Sequence, residues 1–567
     1  MLTKLTVRNF KLFRQVEIEL GQRVVFIGPN NAGKTSALQA LALWNAGVLR
    51  WVEKRGEGNV PRERAGVTLN RRDLITLPVP SANLLWRDLH VREGYKEDGK
   101  QKTRNILIQV DVDGVDQAKA WSSRLEFDYA NEESFYCRSR VGPDGNRFEV
   151  PSAAAGVRLA YLPPMSGLAS TETRLDEGAI GVRIGEGRTA EVLRNLCWLT
   201  LERDDVVWKR IVKRMHKLFG VTLEDPTYIK ERGEIRMTYK TDAGVELDLS
   251  ASGRGQQQTL LLLAHMAANP GSVLLLDEPD AHLEILRQRQ IYGILTETAA
   301  ETNSQIIAAS HSEVILNEAA DRDMVVAFVG RPHRIDDRVS HVRKALKEIG
   351  FEHYAQAEEV GWVLYLEGST DRAVLNAFAQ TLGHAAAALL ERPFVHYVEN
   401  QPKKAQAHYH GLREAKEDLV GLAVYDRLDS LPPDPYLKQH AWRRREIENY
   451  LCQRTALLAW AEAEGRAQAG DLFALSWRTT MEDSIKQIAD ALQALGKPDP
   501  WGSELKASDE FLGPLFEDFF KRLGLPNLMT KTNYHTLAPH VPAEDLDAEV
   551  REVLDMIVDV SSRARPR

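Results

Sequence analysis

The sequence lacks the cysteine pattern of a disulfide-rich or zinc-ribbon protein. Its 567 residues include only three cysteines, which lie far apart without C-x-x-C spacing. Cys137, Cys197 and Cys452 are therefore interpreted as small buried apolar residues in a reducing compartment. No run of about 18 apolar residues occurs, and residues 1–10 alternate in polarity like a strand rather than forming a signal peptide. These absences predict a cytoplasmic protein without membrane association.

Excess positive charge and heptad repeats are missing as well. The net charge is -8, so contact with DNA would have to come from a local basic patch. Arg443, Arg444 and Arg445 form one such patch, with solvated side chains as the alternative interpretation. Without sustained heptads, a long coiled-coil arm is excluded. The chain is too long for one ordinary core, so roughly two to four domains are expected.

A phosphate-binding loop is the most specific motif present. Residues 28–35 read Gly-Pro-Asn-Asn-Ala-Gly-Lys-Thr and lie between an apolar run and a helical pattern. The glycines let backbone N–H groups face the phosphates, and the helix N-terminus adds positive partial charge. We expect Lys34 to lie along the β- and γ-phosphates of ATP and Thr35 to bind Mg²⁺. A chance Gly/Asn turn is the alternative. The other predicted nucleotide contacts are Asn30, Asn31, Gly33 and Ser36.

Acidic residues follow a second buried strand later in the chain. The apolar run from Val273 to Leu276 ends at Asp277 and Glu278. Asp277 is predicted to join the Mg²⁺ shell, and Glu278 to polarise the water that hydrolyses ATP. Another predicted strand, residues 305–309, is followed by His311, whose imidazole could contact the γ-phosphate.

A Ser/Gly-rich turn containing Ser252 and Gly253 precedes an apolar helix ahead of this acidic strand. The four motifs come in the order found in ABC-type ATPases, and residues 1 to about 335 resemble the heads of the SMC and RecF group. The resemblance implies a homodimer or higher homo-oligomer in which ATP lies between heads, with Ser252 and Gly253 contacting the nucleotide of the other subunit. Which serine makes that contact is left open, because the turn Ser-Ala-Ser-Gly-Arg-Gly-Gln departs from the compact Leu-Ser-Gly-Gly-Gln form.

The ATPase domain is predicted to contain two further structural features, a hairpin and a helical arm. Residues 2–7 and 16–20 alternate in polarity, which indicates a hairpin ahead of the phosphate-loop strand. Residues 187–219 show a helical apolar stripe and are predicted to form a helical arm. Periodicity alone leaves open whether this arm is a buried helix pair or a dimer contact.

A second α/β domain is predicted at 360–455, after a polar linker at 336–359. The order β-α-β-α-β predicts a parallel sheet with Glu367 and Asp426 at the carboxyl ends of two strands. Asp371 lies in the first turn of the helix between them, where the helix dipole favours an acid. Carboxylates that meet at one edge indicate a Mg²⁺ or Mn²⁺ site, which could serve phosphodiester cleavage.

Two stretches of this domain resemble a known family. Residues 366–371, Leu-Glu-Gly-Ser-Thr-Asp, resemble the first motif of the Toprim domain, and residues 445–451, Arg-Glu-Ile-Glu-Asn-Tyr-Leu, look like the stretch that commonly follows its core. An ABC-type head followed directly by a Toprim-like domain resembles the OLD (overcoming lysogenization defect) family. The resemblance implies an ATP-dependent, metal-dependent DNA endonuclease of bacterial antiphage defence, with metal held by Glu367, Asp371 and Asp426.

One position departs from the Toprim pattern. Toprim domains usually carry Asp-x-Asp at the third strand end, whereas Leu428 occupies the second acidic position here. Asp429 would supply the missing ligand if the turn shifts by one residue, and Glu446 or Glu448 would do so if their helix folds back. The alternative is an ATPase sensor or scaffold whose degenerate Toprim-like domain does not cut and which controls a separate effector protein, as in Septu systems.

The predicted fold class is therefore α/β: an ABC-type P-loop ATPase head, a Toprim-like parallel α/β domain and a helical C-terminal subdomain. The C-terminal subdomain is predicted at 456–567, where apolar residues recur at helical spacing. His408, His410 and His535 do not belong to a metal-ligand motif and are interpreted as ordinary surface or core histidines.

Overall fold

The computed structural model describes residues 1–55, 66–77, 79–97, 100–320, 322–335 and 349–566. The chain divides into two compact units, Met1–Arg343 and Lys344–Arg567. Within the described ranges, no helix combines the length and the apolar character that a membrane crossing requires.

The first unit combines nineteen strands with eight helices in its described residues. The strands are β1 (Leu2–Phe10), β2 (Phe13–Glu19), β3 (Arg23–Ile27), β4 (Val67–Asn70), β5 (Arg92–Glu97), β6 (Lys100–Asn105), β7 (Ile108–Asp116), β8 (Lys119–Asn131), β9 (Ser134–Ser139), β10 (Leu159–Leu162), β11 (Thr222–Leu223), β12 (Thr227–Ile229), β13 (Glu234–Arg236), β14 (Thr238–Lys240), β15 (Glu246–Asp248), β16 (Val273–Asp277), β17 (Gln305–Ser310), β18 (Met324–Ala327) and β19 (His333–Arg334). The helices are α1 (Lys34–Arg55), α2 (Ser152–Ala155), α3 (Glu177–Gly185), α4 (Leu193–Arg203), α5 (Asp205–Phe219), α6 (Arg254–Ala268), α7 (Ile285–Glu301) and α8 (Glu313–Ala319).

A mostly parallel sheet of order β10-β16-β17-β3-β18-β19 positions the nucleotide motifs. Every residue of β16 and β17 is buried, as expected for parallel strands covered on both faces. Strand β17 pairs in parallel with both β16 and β3. The phosphate loop and Asp277 therefore leave the same edge of the sheet with one strand between them.

An antiparallel sheet of order β2-β1-β7-β8-β9-β4 accompanies it. Strands β1 and β2 form the hairpin predicted ahead of the phosphate-loop strand, with Val7 opposite Val16. Both strands extend closer to the turn than the polarity pattern indicated. Helix α1 follows the phosphate loop directly, where the sequence pattern predicts a helix, and extends to Arg55.

The predicted helical arm consists of α4 and α5. Both helices pack against α6, and their apolar side chains are buried in the core that also holds residues of β16. Leu193, Trp208 and Met215 are examples of these side chains. The described residues thus place α4 and α5 as a buried helix pair within the first unit.

The second unit is built on four strands: β20 (Trp362–Leu366), β21 (Val395–Tyr397), β22 (Val420–Tyr425) and β23 (Leu437–Ala441). All pairings are parallel, in the order β21-β20-β22-β23. Its helices are α9 (Phe351–Val360), α10 (Ser369–Thr381), α11 (Ala386–Glu391), α12 (Pro402–Ala415), α13 (Arg454–Ala469), α14 (Asp471–Ala494), α15 (Gly513–Arg522) and α16 (Ala548–Ser562).

The two faces of this sheet belong to different cores. Leu364 and Leu366 pack into one large core with side chains of the C-terminal helices, including Phe516 and Val553. Tyr365 points to the other face, into a smaller core with residues of α12. The predicted C-terminal subdomain therefore has no separate core, because α13 to α16 share theirs with the sheet.

The predicted linker at 336–359 needs a correction at its C-terminal end. Residues 336–348 lie outside the described part of the chain. The following residues form α9, whose Phe351, Tyr354 and Ala357 are buried. Ala357 packs in the same core as Tyr365. This stretch is therefore an integral helix of the second unit, since its apolar face covers the sheet.

The shared core predicts that the sheet and the C-terminal helices of the second unit lose stability together. Phe516→Ala is expected to lower the free energy of unfolding by about 3–5 kcal/mol, because the buried ring leaves a cavity. Hydrogen exchange on the full chain should then accelerate in β20 and β22 as well as in α15. Leu472→Ala, at a side chain that is 94% exposed, is the control. Faster exchange confined to the C-terminal helices would contradict the shared core.

Candidate functional site

The phosphate loop connects β3 to α1 in a conformation that requires glycine at two positions. Gly33 has a φ of 100°, in the region that side chains disfavour. A Cβ atom on Gly28 would lie 2.7 Å from the carbonyl oxygen of Phe328. Asn31 adopts a φ of 62°, which asparagine tolerates better than most residues. The loop therefore turns tightly and directs the N-terminus of α1, which begins at Lys34, toward its interior.

Lys34 lies buried within this loop. Its Nζ donates hydrogen bonds to the carbonyl oxygens of Gly28 at 2.7 Å and Pro29 at 2.8 Å. Burial lowers the pKa of Lys34, while the charges of Glu278, Asp277 and Asp280 act in the opposite direction. Of the other predicted nucleotide contacts, Ser36 is buried in the first turn of α1, and Asn30 is exposed in the loop.

Asp277 occupies the end of β16 and faces the start of α1. Its Oδ1 accepts a hydrogen bond from the Thr35 hydroxyl at 3.1 Å, and its Oδ2 accepts one from the Tyr161 hydroxyl at 3.2 Å. Burial raises the pKa of Asp277 to about 6, with the hydrogen bonds from Thr35 and Tyr161 opposing that rise. The structure thus brings the two predicted Mg²⁺ ligands, Thr35 and Asp277, into direct contact.

Glu278 follows in a strained backbone conformation, with a φ of 49°. Its N–H donates to the carbonyl oxygen of Ala309 at 2.8 Å, which fixes it to the end of β17. The Glu278 Oε1 lies 3.7 Å from Nδ1 of His311, and both side chains are accessible to solvent. The two predicted hydrolytic residues are therefore adjacent, at the same sheet edge as Asp277.

The Ser/Gly-rich turn lies at the N-terminus of α6. Ser252 donates its hydroxyl to the carbonyl oxygen of Leu249 at 2.6 Å and accepts, through its own carbonyl, a bond from Gln257 Nε2. Gly253 is the exposed residue immediately before the helix, with open space around its Cα. Both residues thus lie at an accessible helix N-terminus, and their predicted contact with a second subunit stays a prediction.

A second group of charged residues lies where β20 and β22 end. Glu367 follows β20, Asp426 follows β22, and their side chains share a hydrogen bond. Burial, this bond and the charge of Glu367 raise the pKa of Asp426. The structure therefore brings these two predicted metal ligands together.

Asp371 joins this group while also holding the start of α10. Its Oδ2 accepts the backbone N–H groups of Glu367 at 2.9 Å and Gly368 at 3.2 Å. Burial raises the pKa of Asp371 to about 6, and the two backbone N–H groups partly offset this. One carboxylate oxygen is thus used for the backbone, which leaves the other for contacts within the acidic group.

Glu448 and Lys531 complete the group from the C-terminal side. Glu448 lies on the 3-10 helix Ile447–Tyr450 and is 2% exposed. Burial and the charge of Glu446 raise its pKa to about 7, and Lys531 Nζ lies 3.6 Å from its Oε1. The charges of Glu448 and Asp371 both raise the pKa of Asp426. We call Glu367, Asp371, Asp426, Glu448 and Lys531 the acidic cluster.

Asp429, predicted as a metal ligand, is not part of the acidic cluster. It is exposed, and its charge acts on Arg427. Leu428 packs, partly buried, against the core that contains Tyr365. The turn therefore does not shift to rescue the Asp-x-Asp pattern. Glu448 supplies a further carboxylate instead, which agrees with the alternative that the Glu446 to Glu448 stretch folds back.

The basic patch at residues 443–445 is largely neutralised within the second unit. Arg443 Nη2 lies 2.8 Å from Glu552 Oε2, and Arg444 Nη2 lies 3.5 Å from Asp547 Oδ2. These contacts favour the interpretation of solvated, internally paired arginines over a dedicated phosphate-binding patch.

Family comparisons match the part of the chain that holds the nucleotide motifs. Residues 1–49 match a family described as an AAA ATPase domain. Residues 187–317 match a family described as an AAA domain, putative AbiEii toxin, Type IV TA system. These two ranges contain Lys34, Ser252, Asp277 and His311. They support an ATPase domain of the AAA and ABC type in the first unit.

Individual relatives cover only parts of the chain. A putative ABC transporter ATP-binding protein of Pyrococcus horikoshii is 26% identical over 182 residues, which are 31% of this chain and 54% of that protein. A putative peptide import ATP-binding protein of Brucella abortus is 33% identical over 78 residues, which are 14% of this chain and 23% of that protein. The chain thus spans about half the length of the first relative and less than a quarter of the second.

Two solved structures are similar to this chain at low identity. A SMC head bound to the C-terminal winged-helix domain of ScpA is 17% identical, with a TM-score of 0.34, and the match covers 61% of this chain and 99% of that one. The SMC head domain from Thermotoga maritima is 16% identical, with a TM-score of 0.31, over 60% and 99%.

Three side chains of these sites were not predicted from the sequence. Tyr161 comes from β10, a short apolar strand without a motif. Asp280 is buried near His311, and its position two residues after Glu278 is the one available signal. Lys531 lies far from the Toprim-like motifs in sequence and reaches the acidic cluster only through folding of the C-terminal helices.

The contact between Tyr161 and Asp277 predicts a shift in pH dependence. Tyr161→Phe removes a hydrogen bond that lowers the pKa of Asp277, so that pKa should rise by up to about one unit. A protonated Asp277 cannot bind Mg²⁺, so Mg²⁺-dependent ATP affinity should weaken near pH 6 to 7 and match wild type at pH 8. Binding titrations across this pH range provide the measurement.

Tyr292→Phe is the matched control for this experiment. The Tyr292 hydroxyl donates to Asp323 Oδ2 at 2.6 Å, outside the nucleotide motifs. Its removal should leave the pH profile of Mg²⁺-ATP affinity unchanged. If Tyr161→Phe gives the wild-type profile as well, the Tyr161 hydroxyl does not control the charge of Asp277.

Proposed function

We propose that this protein is an ATP-hydrolysing, OLD-like enzyme whose second unit is a Toprim-like, metal-dependent DNA endonuclease. The observation that carries the nuclease proposal is the acidic cluster at the carboxyl ends of β20 and β22. Open parallel α/β sheets place their active sites at this edge. The first unit of the same protein carries a phosphate loop, a Ser/Gly-rich turn and strand-end acids, which supports control of cleavage by ATP.

In the first unit, the predicted site residues would divide ATP binding and hydrolysis between them. Lys34 and the backbone N–H groups of the phosphate loop would hold the β- and γ-phosphates. Thr35 and Asp277 would hold Mg²⁺, which neutralises charge developing on the phosphates. Glu278 would orient and polarise the attacking water, and His311 at 3.7 Å from it would meet the γ-phosphate. Ser252 and Gly253 would contact ATP on a second subunit, so the active form is a homodimer.

The acidic cluster has the donor set that a hard divalent cation requires. Its carboxylates offer oxygen ligands, as Mg²⁺ and Mn²⁺ prefer. Among the described residues, the buried Oε1 of Glu448 has no hydrogen-bond partner. The raised pKa of Asp426 beside Glu367 is another sign of uncompensated negative charge. A bound cation would therefore relieve the repulsion between these carboxylates. Without a cation, only protonation of a carboxylate can do so.

A bound Mg²⁺ or Mn²⁺ would activate water and stabilise the charge that develops during phosphodiester cleavage. Glu367, Asp371, Asp426 and Glu448 would hold the cation. Lys531 is the cationic side chain of the cluster, and its pKa is raised by Glu448 and Glu446 despite burial. Its ammonium would remain charged and would stabilise the phosphate oxygens during cleavage.

The biological role we propose is bacterial antiphage defence, with DNA as the partner. This rests on the resemblance of the combined ATPase and Toprim-like sequence to the OLD family. ATP binding would close two heads and shift the second unit toward its active arrangement, so the nucleotide acts as a ligand that changes conformational populations.

A sensor or scaffold is the second candidate function. The observation that favours it is Leu428, which packs into the core in place of a second strand-end acid. In this case the ATPase would be active, the acidic cluster would not cut DNA, and a separate effector protein would be controlled by the nucleotide state.

The ATPase proposal predicts that Glu278→Gln separates ATP binding from hydrolysis. The amide keeps the size of the side chain but cannot polarise water, so turnover should fall by about 100-fold or more while ATP affinity is retained. Light scattering should then detect a dimer with ATP. Lys34→Ala should lose both turnover and the ATP-dependent dimer. A monomeric Glu278→Gln protein with bound ATP, or full turnover in Lys34→Ala, would contradict the proposal.

The nuclease proposal predicts metal-dependent cleavage of DNA. Purified protein with Mg²⁺ or Mn²⁺ should cut supercoiled or linear DNA, and Glu367→Ala should abolish cutting because it removes a metal ligand. Lys531→Ala should reduce the cleavage rate by about 10²- to 10³-fold. Lys497→Ala, which removes an exposed lysine paired with Glu510, should cut normally.

The outcomes of this experiment distinguish the two candidate functions. Cleavage that is lost in Glu367→Ala and retained in Lys497→Ala would support the nuclease. No cleavage in either metal, by a protein that still hydrolyses ATP, would contradict it and favour the sensor. Cleavage that persists in Glu367→Ala would show that the acidic cluster is not the site.

A further inference from the structure

Three histidines from three different elements meet on one face of the sheet in the second unit. His353 lies on α9, His396 on β21 and His408 on α12. One ring nitrogen from each lies within 4.8 Å of the others. From the sequence alone, His408 is interpreted as an ordinary histidine. The structure corrects this, because α9 packs on α12 and β21 pairs with β20.

The spacing of the ring nitrogens is close to that of a metal site. His353 Nδ1 and His408 Nε2 share a hydrogen bond at 2.9 Å. Two imidazole ligands of a tetrahedral zinc ion lie about 3.3 Å apart, for Zn–N distances of about 2.0–2.1 Å. The two nitrogens therefore need to move only slightly apart to bind one zinc ion. The His396 ring stacks on His408 at 3.8 Å, so its nitrogen would reach a shared ion after the ring turns out of the stack.

His396 is well placed for such a rotation. It lies on β21, which is an edge strand of the sheet, and its side chain is partly exposed. The ring of Phe394 lies 5.8 Å from His353 and 6.5 Å from His408 and provides an apolar wall. The group is therefore accessible on one side and packed on the other, as a three-ligand site with an open position requires.

A tyrosine orients one of the three rings. The Tyr365 hydroxyl lies 2.9 Å from His408 Nδ1, the nitrogen that does not face His353. When His408 Nδ1–H donates to the Tyr365 oxygen, Nε2 presents its lone pair, and metal-binding histidines usually have such a partner.

We propose that His353, His396 and His408 form a binding site for one transition-metal ion, with zinc as the expected occupant. Imidazole ligands favour zinc and related ions, whereas the carboxylates of the acidic cluster favour Mg²⁺ or Mn²⁺. The second unit would thus hold two chemically distinct metal sites. The open coordination position at the three histidines would be filled by water or by a further ligand.

The test is the zinc content of the full-length protein after loading with zinc and removal of the excess. Elemental analysis should find about one zinc per chain in wild type and less than a fifth of that in His396→Ala and His408→Ala. His410→Ala is the matched control. His410 lies on the same helix α12 but pairs with Asp434 at 2.7 Å, so its zinc content should be that of wild type.

Further variants separate this proposal from its competitors. Glu367→Ala should keep its zinc, because the acidic cluster is a different site. Tyr365→Phe retains all three ligands and should weaken zinc binding by about 10- to 100-fold, through loss of the partner at Nδ1. Cobalt substituted in wild type should give the strong visible absorption of tetrahedral nitrogen coordination.

The proposal is overturned if wild type retains no zinc, or if His408→Ala retains as much as wild type. Loss of zinc in Glu367→Ala alone would overturn it as well. If the alanine variants are unstable, the cobalt spectrum of wild type and the affinity of Tyr365→Phe still decide the question, because an unchanged affinity and a weak octahedral spectrum exclude the site.

Discussion

A carboxylate that is removed from water needs a cation or a proton nearby, and both units of this protein depend on that requirement. In the first unit, burial raises the pKa of Asp277, and the charge of Lys34 opposes it. In the second unit, the pKa values of Asp371, Asp426 and Glu448 are all raised, with Lys531 alongside. In both units, apolar parallel strands fix the acids where water is scarce. This makes the binding of a cation favourable, because a cation replaces the missing solvation.

Functional residues could be predicted from the sequence where the neighbouring strand or turn alone determines their position. The phosphate loop, Asp277 and Glu278 are of this kind, since a strand and its carboxyl-terminal turn determine their positions. The parallel sheet of the second unit was also predictable, because its apolar runs alternate with helical patterns. Strand β23 was not, because its burial is mixed along its length.

Residues that join a site only through tertiary packing could not be predicted in this way. Glu448 was an open alternative, but whether its stretch folds back depends on the helices after it. Tyr161 enters the nucleotide site because β10 pairs with β16 at the sheet edge. The three histidines have no spacing that sets them apart from ordinary ones. Their proximity follows from how α9 and α12 cover one face of the sheet.

The large core that the sheet of the second unit shares with the C-terminal helices has a consequence for how this protein can evolve. A parallel sheet with its own helices would be exchangeable between genes as a compact block if its core were separate from the C-terminal helices. Here Lys531 and the carboxylates of Glu367 and Asp426 come from distant parts of the sequence of one packed unit, Lys344–Arg567. A recombination point inside this unit would separate the acids from their cation and expose the core between them. The heritable module is therefore the whole unit, and any exchange that preserves the cluster must carry the C-terminal helices with the sheet.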